Sequence, residues 1–164
     1  MAKKKERTLA EKVQQYRDLC NSESDVAKAR KLFEEIITGS DPAIIPLLLL
    51  MRPYGEGDNA HLEEIHRIND AMDAFPKNVL IEHLSKVAGE LCRSSPVLLR
   101  HLLNDILWSE EDTSLLIKKL AKLPHDDVEC LGAFVGRIVK AGRSEEMVAY
   151  TKVLNRLTKV AAKK

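Results

Sequence analysis

The chain has 164 residues, of which 26 are Lys or Arg and 25 are Asp or Glu, so its formal net charge is +1. A composition of 45% hydrophobic and 31% charged residues, with only 7 glycines, excludes a disordered, fibrous or low-complexity protein. The balanced charge favours neither a basic nucleic-acid binder nor an acidic scavenger, and the longest apolar run, nine residues at 43–51, is far shorter than the about 20 residues of a membrane helix.

Apolar residues recur at every third or fourth position along almost the whole chain, which predicts a succession of amphipathic α-helices. The predicted helices span about residues 8–20, 25–38, 41–51, 59–75, 77–92, 95–108, 109–123, 126–141 and 144 onward. Thr8 and Glu11 have the spacing of a capping box at the first helix. The third helix should start at Asp41–Pro42, lie at the centre of the fold because it is apolar on nearly all sides, and have an irregular first turn or a bend at Pro46.

Regular spacing of the helix starts predicts the architecture. No segment alternates polar and apolar residues, so we predict an all-α fold of about nine helices without a sheet. The helix starts from Asp41 to Ser144 lie 14 to 19 residues apart, about half the length of a two-helix repeat. This spacing favours antiparallel pairs in a HEAT-like, right-handed stack, with an irregular helical bundle as the alternative. We expect one helical domain over residues 8–161, with basic disordered tails at 1–7 and 162–164.

Residues that commonly carry catalysis are present, but their spacing does not predict an enzyme. Cys20, Cys92 and Cys130 form no CxxC pair, so we expect neither a disulfide framework nor a zinc site, as is usual in a reducing cytoplasm. His61 and His66 are five positions apart, whereas helical residues that share a metal ion lie about three or four apart. We therefore predict no catalytic residues, no cofactor and no metal, and keep a metal-dependent enzyme using His61 as a minor alternative.

Charged residues are unevenly distributed along the chain. Residues 1–7 hold four basic residues and one acidic residue, residues 140–164 hold seven and two, and the segment between them carries a net charge of −7. Its acids cluster at 56–73 and around residue 110. One interpretation is that these acids sit at helix starts and face water, where the helix dipole favours them. The other is an acidic surface that attracts a basic partner.

Three segments carry a resemblance to a known family: DPAIIPLLLL at 41–50, EEIHRINDAMDAF at 63–75 and SPVLLRHLLNDILWSEE at 95–111. They are similar to the immunity protein 30 family of bacterial polymorphic toxin and contact-dependent growth inhibition systems, over about residues 40–125. The resemblance implies a cytoplasmic, non-catalytic antitoxin that neutralises the C-terminal domain of a cognate toxin, commonly a nuclease, by stoichiometric binding. The acidic central segment suits a basic nuclease.

Aromatic and charged residues of this segment are the candidates for toxin contact. Tyr54 and Trp108 would be anchors, since these residue types are enriched at binding hot spots, although Trp108 suits a buried position equally well. The charged candidates are Glu56, Asp58, Glu63, Glu64, Arg67, Asp70, Asp73, Glu110 and Glu111. Charge reversal of Glu63 with Glu64 is expected to weaken binding without lowering the melting temperature.

For the antitoxin a monomer is favoured, and neither a membrane nor a nucleic acid is expected as partner. The alternative function is a HEAT-like helical-repeat adaptor. Such an adaptor would bind another cellular protein, or a nucleic acid through the Lys-rich ends of the chain.

Overall fold

The computed structural model of the chain describes residues 8–22, 25–55, 62–142 and 147–163. These residues form nine α-helices and no strand, which confirms the prediction of an all-α fold. No helix in the described part of the chain has the length and apolar character needed to cross a membrane. The predicted tail at 1–7 lies outside the described residues.

Helix bounds agree with the predicted order, and the capping box predicted at the first helix is present. The helices are α1 (Leu9–Ser22), α2 (Val26–Ile37), α3 (Ile44–Leu49), α4 (Leu62–Met72), α5 (Lys77–Ser94), α6 (Pro96–Ile106), α7 (Glu110–Leu120), α8 (His125–Ala141) and α9 (Met147–Ala161). The backbone N–H of Thr8 donates to Glu11 Oε2 at 2.7 Å, and the N–H of Glu11 donates to Thr8 Oγ1 at 3.3 Å. Asp25 and Ser109 each accept the backbone N–H three residues further on, at 3.0 and 3.2 Å, and so cap α2 and α7.

Helix α3 is buried, as predicted, but it is shorter than predicted. Asp41 Oδ1 accepts the backbone N–H of Ala43 at 2.9 Å, and this turn delays the start of the helix to Ile44. Pro46 consequently lies in the first turn, where its missing N–H costs no intrahelical hydrogen bond. The side chains of α3 that enter the core are Ile44, Ile45, Leu48 and Leu49.

Alternate helices of the chain lie side by side in two layers. In one layer α1 packs on α3, α3 on α5, α5 on α7 and α7 on α9; in the other, α2 packs on α4 and α4 on α6. This arrangement is what stacked helix pairs produce, and it agrees with the repeat spacing read from the sequence. Helix α8 departs from it, because it packs on α5 and α9. The handedness of the stack stays a prediction.

Helix α5 is the centre of the packing, with α3, α6, α7 and α8 around it. Its contact with α8 is close because Gly89 has no side chain: a Cβ atom at this position would lie 2.1 Å from Asp127 Cγ. The Asp127 carboxylate occupies that space and binds Nη1 of Arg93 at 2.8 Å. The α5–α8 pair therefore meets at a defined register.

Candidate protein-binding site

Four side chains from α1, α4 and the loop after α3 meet in what we call the tyrosine cluster: Tyr16, Arg52, Tyr54 and Glu64. The hydroxyls of Tyr16 and Tyr54 both donate to Glu64 Oε1, that of Tyr54 at 2.5 Å. Nη1 of Arg52 lies 3.7 Å from the second oxygen of the same carboxylate. The Glu64 side chain is only 16% exposed, so its charge is compensated inside the protein.

Burial and the Glu64 carboxylate keep both tyrosine hydroxyls protonated. Burial raises the pKa of Tyr16 and of Tyr54 because a phenolate there would be poorly solvated. The Glu64 carboxylate raises it further because a phenolate would face a second negative charge. Arg17, next to Tyr16 on α1, donates from Nε to the backbone carbonyl of Met51 at 2.6 Å. The cluster and this contact together tie α1 to the end of α3 and to the start of α4.

Tyr54 and Glu64 are not the exposed contact residues that the sequence predicted. Tyr54 is 0% exposed, and its backbone N–H donates to the carbonyl of Ser94 and to Oγ of Ser95, both at 3.1 Å. These bonds draw the loop after α3 against the junction of α5 and α6, which buries the tyrosine. The prediction of Tyr54 as an anchor is therefore wrong. Glu64 lines the groove between α1, α2 and α4, but its carboxylate is bound by the tyrosine cluster.

Other predicted contact residues of α4 lie at the surface. Glu63 and Asp70 are exposed, and Asp73 is bound by the lysine four residues later at 2.8 Å. Arg67 pairs with Glu34 of α2, and this hydrogen bond lowers the pKa of Glu34. Glu63 and Arg67 line a groove of about 610 Å³ between α1, α2 and α4. The predicted residues outside the described part of the chain are Glu56, Asp58 and His61.

Two histidines meet between α4 and α6. The rings of His66 and His101 are 5.2 Å apart in an edge-to-face arrangement, and burial together with His66 lowers the pKa of His101. Asn69 Nδ2 donates to Asp105 Oδ2 at 2.7 Å across the same helix pair. Within the described ranges, no three or more His, Cys, Asp or Glu residues are arranged to hold a metal ion.

Trp108 lies in the turn between α6 and α7 and is 82% exposed. The sequence allowed Trp108 to be either an exposed anchor or a buried residue. The buried alternative is therefore wrong. Beside it lies a groove of about 700 Å³ between α6, α7 and α9, which we call the Trp108 groove. The residues that matter for its chemistry are Asn104, Leu107, Trp108, Glu110, Val148, Tyr150 and Lys152.

Polar contacts between the helices fix the walls of the Trp108 groove. The hydroxyl of Tyr150 on α9 donates to Asn104 Oδ1 on α6 at 2.6 Å. Nζ of Lys152 lies 2.9 Å from Glu110 Oε1, which joins α9 to α7 and lowers the pKa of Glu110. Val148, on the same wall, is 59% exposed. The hydrogen bond between Tyr150 and Asn104 thus holds α9 against α6, and the Trp108 and Val148 side chains at the groove are open to solvent.

Acidic residues surround the Trp108 groove on the side of α6 and α7. The first three residues of α7 are acidic, and the helix dipole favours negative charge at this end. Two of them, Glu110 and Glu111, are the predicted contact residues, and both are exposed. Asp105 lies one turn before Trp108 on α6. On the opposite wall, Lys152 provides a basic side chain.

Sequence reasoning missed the exposed apolar residue of the α9 wall, Val148. The buried positions of α9 include Tyr150 and Leu157, which lie on one side of the helix. Val148 is about 160° away from Tyr150 around the helix. An apolar residue opposite the buried side of an amphipathic helix is the signal that could have found it.

Comparisons of this chain with protein-family models, with curated proteins and with solved structures found no match. The tyrosine cluster and the Trp108 groove differ in what their side chains expose to solvent. In the tyrosine cluster, polar groups are paired with one another in the interior. In the Trp108 groove, the polar groups are also paired, but the aromatic and aliphatic surface faces solvent. The second region combines an exposed tryptophan with an exposed valine, Trp108 at 82% and Val148 at 59%.

Proposed function

We propose that this protein is a cytoplasmic antitoxin: a non-catalytic immunity protein that binds a cognate toxin domain in a stoichiometric complex and neutralises it. The observation that carries the proposal is the 82% exposure of Trp108 beside the groove between α6, α7 and α9. Exposed apolar patches on soluble proteins commonly mark interaction sites, and Trp is the residue type most enriched at binding hot spots.

Burial of Trp108 against a partner would supply a large part of the binding energy. A tryptophan side chain covers about 200 Å², and its removal from water contributes about 5 kcal/mol before the costs of association. The neighbouring polar atoms of Asn104, Tyr150, Glu110 and Lys152 already have partners within the chain. A bound protein therefore need not satisfy Tyr150 and Asn104, whereas the Glu110–Lys152 ion pair is mostly exposed and remains accessible to the partner.

Charge on the same side of the molecule favours a basic partner, such as a basic nuclease toxin. Glu111 is exposed next to the groove, and the Asn69–Asp105 hydrogen bond joins α4 to the last turn of α6. The exposed Asp70 therefore lies on a helix adjacent to the groove. An acidic surface of this kind accelerates association with a basic toxin and disfavours acidic partners.

Calorimetric titration of the full chain with an inactivated toxin domain, encoded next to its gene, tests the proposal. We expect one-to-one binding, and we expect Trp108→Ala to weaken it by about 30-fold or more, as for a hot-spot residue. Val26 is the control for the position of the site, because it is also exposed but lines the other groove, between α1, α2 and α4. Val26→Ala should bind like the parent protein. Absence of binding at micromolar concentration would overturn the proposal.

Charge is tested separately from the aromatic anchor. Glu111→Lys should lower the association rate several-fold at low salt and much less at high salt, because exposed charges are screened. Dissociation should change little. If Glu111→Lys leaves the association rate unchanged at low salt, the acidic surface does not face the partner.

The two-layer arrangement of the helices favours a second candidate, a helical-repeat adaptor. Stacked helix pairs form extended surfaces on which other macromolecules bind. If the adaptor binds nucleic acid through the Lys-rich ends, binding to a duplex of random sequence should weaken steeply with salt and disappear when residues 1–7 and 162–164 are removed. Binding that needs Trp108 but not these ends rules out the nucleic-acid form of the adaptor.

A further inference from the structure

Two cysteines that are 38 residues apart in the sequence meet between α5 and α8. Sγ of Cys92 and Sγ of Cys130 are 2.7 Å apart, and both are free thiols. Non-bonded sulfur atoms normally lie farther apart than this, whereas a disulfide joins them at about 2.05 Å. The two thiols are thus close enough to be linked by a small shift of their side chains.

The helix pair that carries these cysteines is held at a fixed register. Gly89 allows the close approach of α8, and Arg93 binds Asp127 at 2.8 Å beside it. Cys92 follows Gly89 by three residues on α5, and Cys130 follows Asp127 by three residues on α8. Each cysteine therefore lies about one helical turn from the Gly89–Asp127 contact, and the backbone that positions the two sulfur atoms is already in place.

We propose that Cys92 and Cys130 are an oxidation site at which a peroxide converts the two thiols into a reversible disulfide between α5 and α8. In the first step the sulfur of one cysteine attacks a peroxide oxygen, the O–O bond breaks, and a sulfenic acid and one water form. In the second step the other thiol attacks the sulfenic sulfur, the S–O bond breaks, and a second water leaves with the thiol proton. Two thiols are oxidised by two electrons while one hydrogen peroxide is reduced to two waters.

Exposure separates the roles of the two cysteines. Cys130 is half-buried and is the one that a peroxide reaches, whereas Cys92 is only 7% exposed. Burial, and the sulfur of Cys130 beside it, raise the pKa of Cys92 to about 12. Cys130 is therefore the attacking thiol, and Cys92, which stays protonated until the sulfenic acid forms beside it, is the resolving thiol.

Disulfide formation would connect the C-terminal helix pair to the centre of the fold. Helix α8 packs on both α5 and α9, and α9 carries the Val148 wall of the Trp108 groove. The bond would close a long chain loop, which restricts the unfolded chain. We expect the oxidised protein to melt roughly 5–10 °C higher than the reduced protein.

The test uses the full chain treated with hydrogen peroxide, alkylated to block remaining thiols, and digested without reductant. Mass spectrometry should find a peptide pair linking Cys92 to Cys130, lighter by two hydrogen atoms than the two thiol peptides, while Cys20 is alkylated. Reductant should reverse the link and the rise in melting temperature. Recovery of Cys130 as a sulfinic acid with Cys92 alkylated, or of a link to Cys20, would overturn the proposal.

Variants in which one cysteine is replaced by serine test the role of each thiol. Cys92→Ser should trap the sulfenic acid on Cys130, where a dimedone probe captures it. Cys20→Ser is the matched control and should form the disulfide as the parent does. Should Cys92→Ser fail to fold, Cys130→Ser, a change at the more exposed position, should abolish both the link and the rise in melting temperature. A rise in melting temperature on peroxide treatment that persists in Cys130→Ser would refute the assignment.

Discussion

The tyrosine cluster and the Trp108 groove are built from the same residue types and have opposite exposures. Each has an aromatic residue in the segment between two helices, Tyr54 or Trp108, and an acidic residue near the start of the next helix, Glu64 or Glu110. Tyr54 is fully buried, with its hydroxyl bound to Glu64, whereas Trp108 projects into solvent. An aromatic residue next to acids thus indicates either an internal hydrogen-bonded network or a binding surface.

Hydrogen bonding within the chain accounts for the difference. A tyrosine is stable in the interior when its hydroxyl finds an acceptor, and Glu64 accepts from Tyr16 and Tyr54 together. Trp108 lies in a short turn in which Ser109 caps α7, so the chain changes direction immediately after it. Its side chain is consequently left outside both helices.

Replacement of the buried aromatic residue should give the largest effect on stability. Tyr54→Ala removes a fully buried ring and a hydrogen bond, so we expect the free energy of unfolding to fall by about 4 kcal/mol in urea titrations. Tyr54→Phe keeps the ring and should cost about 1–2 kcal/mol. A loss below that of Tyr54→Phe in the alanine variant would show that the cluster does not hold the fold together.

Glu63 and Glu64 are adjacent in sequence, but Glu63 is exposed whereas Glu64 belongs to the tyrosine cluster. Their alanine variants therefore compare an exposed acid with an internal one. Glu64→Ala leaves two buried hydroxyls and Arg52 without their carboxylate, so we expect a loss of about 3 kcal/mol. Glu63→Ala, at an exposed position, should stay within about 0.5 kcal/mol. The expectation that charge reversal of both acids spares the melting temperature must therefore be corrected for Glu64. Equal losses of unfolding free energy in Glu63→Ala and Glu64→Ala would contradict the internal role of Glu64.

Alkaline pH should weaken the tyrosine cluster. The pKa of Tyr16 and of Tyr54 is higher in the folded chain than in the unfolded chain, so their stabilising contribution is complete below about pH 10 and is lost as the pH rises. Above pH 10 we expect each hydroxyl to cost about 1 kcal/mol per pH unit. Unfolding of the parent and of Tyr54→Phe between pH 9 and 11, values chosen around the usual tyrosine pKa of about 10, measures this slope. The variant should have the smaller slope.

Trp108→Ala should give the smallest change in stability. Because the side chain is exposed, we expect the free energy of unfolding to change by at most about 0.5 kcal/mol. The chain has a single Trp, so its fluorescence reports on this residue alone. Emission of the folded protein should resemble that of tryptophan in water and should shift to shorter wavelength when a partner binds. Blue-shifted emission from the free protein would mean that the groove is covered.

Local sequence signals predicted most of the fold. The Thr8–Glu11 capping box acts within one helical turn, and it is present. The start of α3 was predicted too early. Asp41 Oδ1 accepts the backbone N–H of Ala43 in a turn, so the helix begins only at Ile44 and Pro46 lies in its first turn. Helix order and helix class followed from the period of the apolar residues.

The candidate sites depended on contacts between distant parts of the chain. Tyr16 and Glu64 are 48 residues apart, Tyr150 and Asn104 are 46 apart, and Cys92 and Cys130 are 38 apart. No spacing rule in the sequence relates such residues. Burial of Tyr54 was therefore unpredictable, and Trp108 was left open between two positions.

The sequence by itself determined that this chain forms amphipathic helices, where most of them begin, and which side of each enters the core. These properties depend on helix period and on caps, both of which act between residues a few positions apart. Tertiary packing decided that Tyr54 and Glu64 face inward, that Trp108 faces outward and that two thiols meet. Each of these outcomes is set by the positions of helices relative to one another, because burial depends on what covers a side chain and not on its neighbours in sequence.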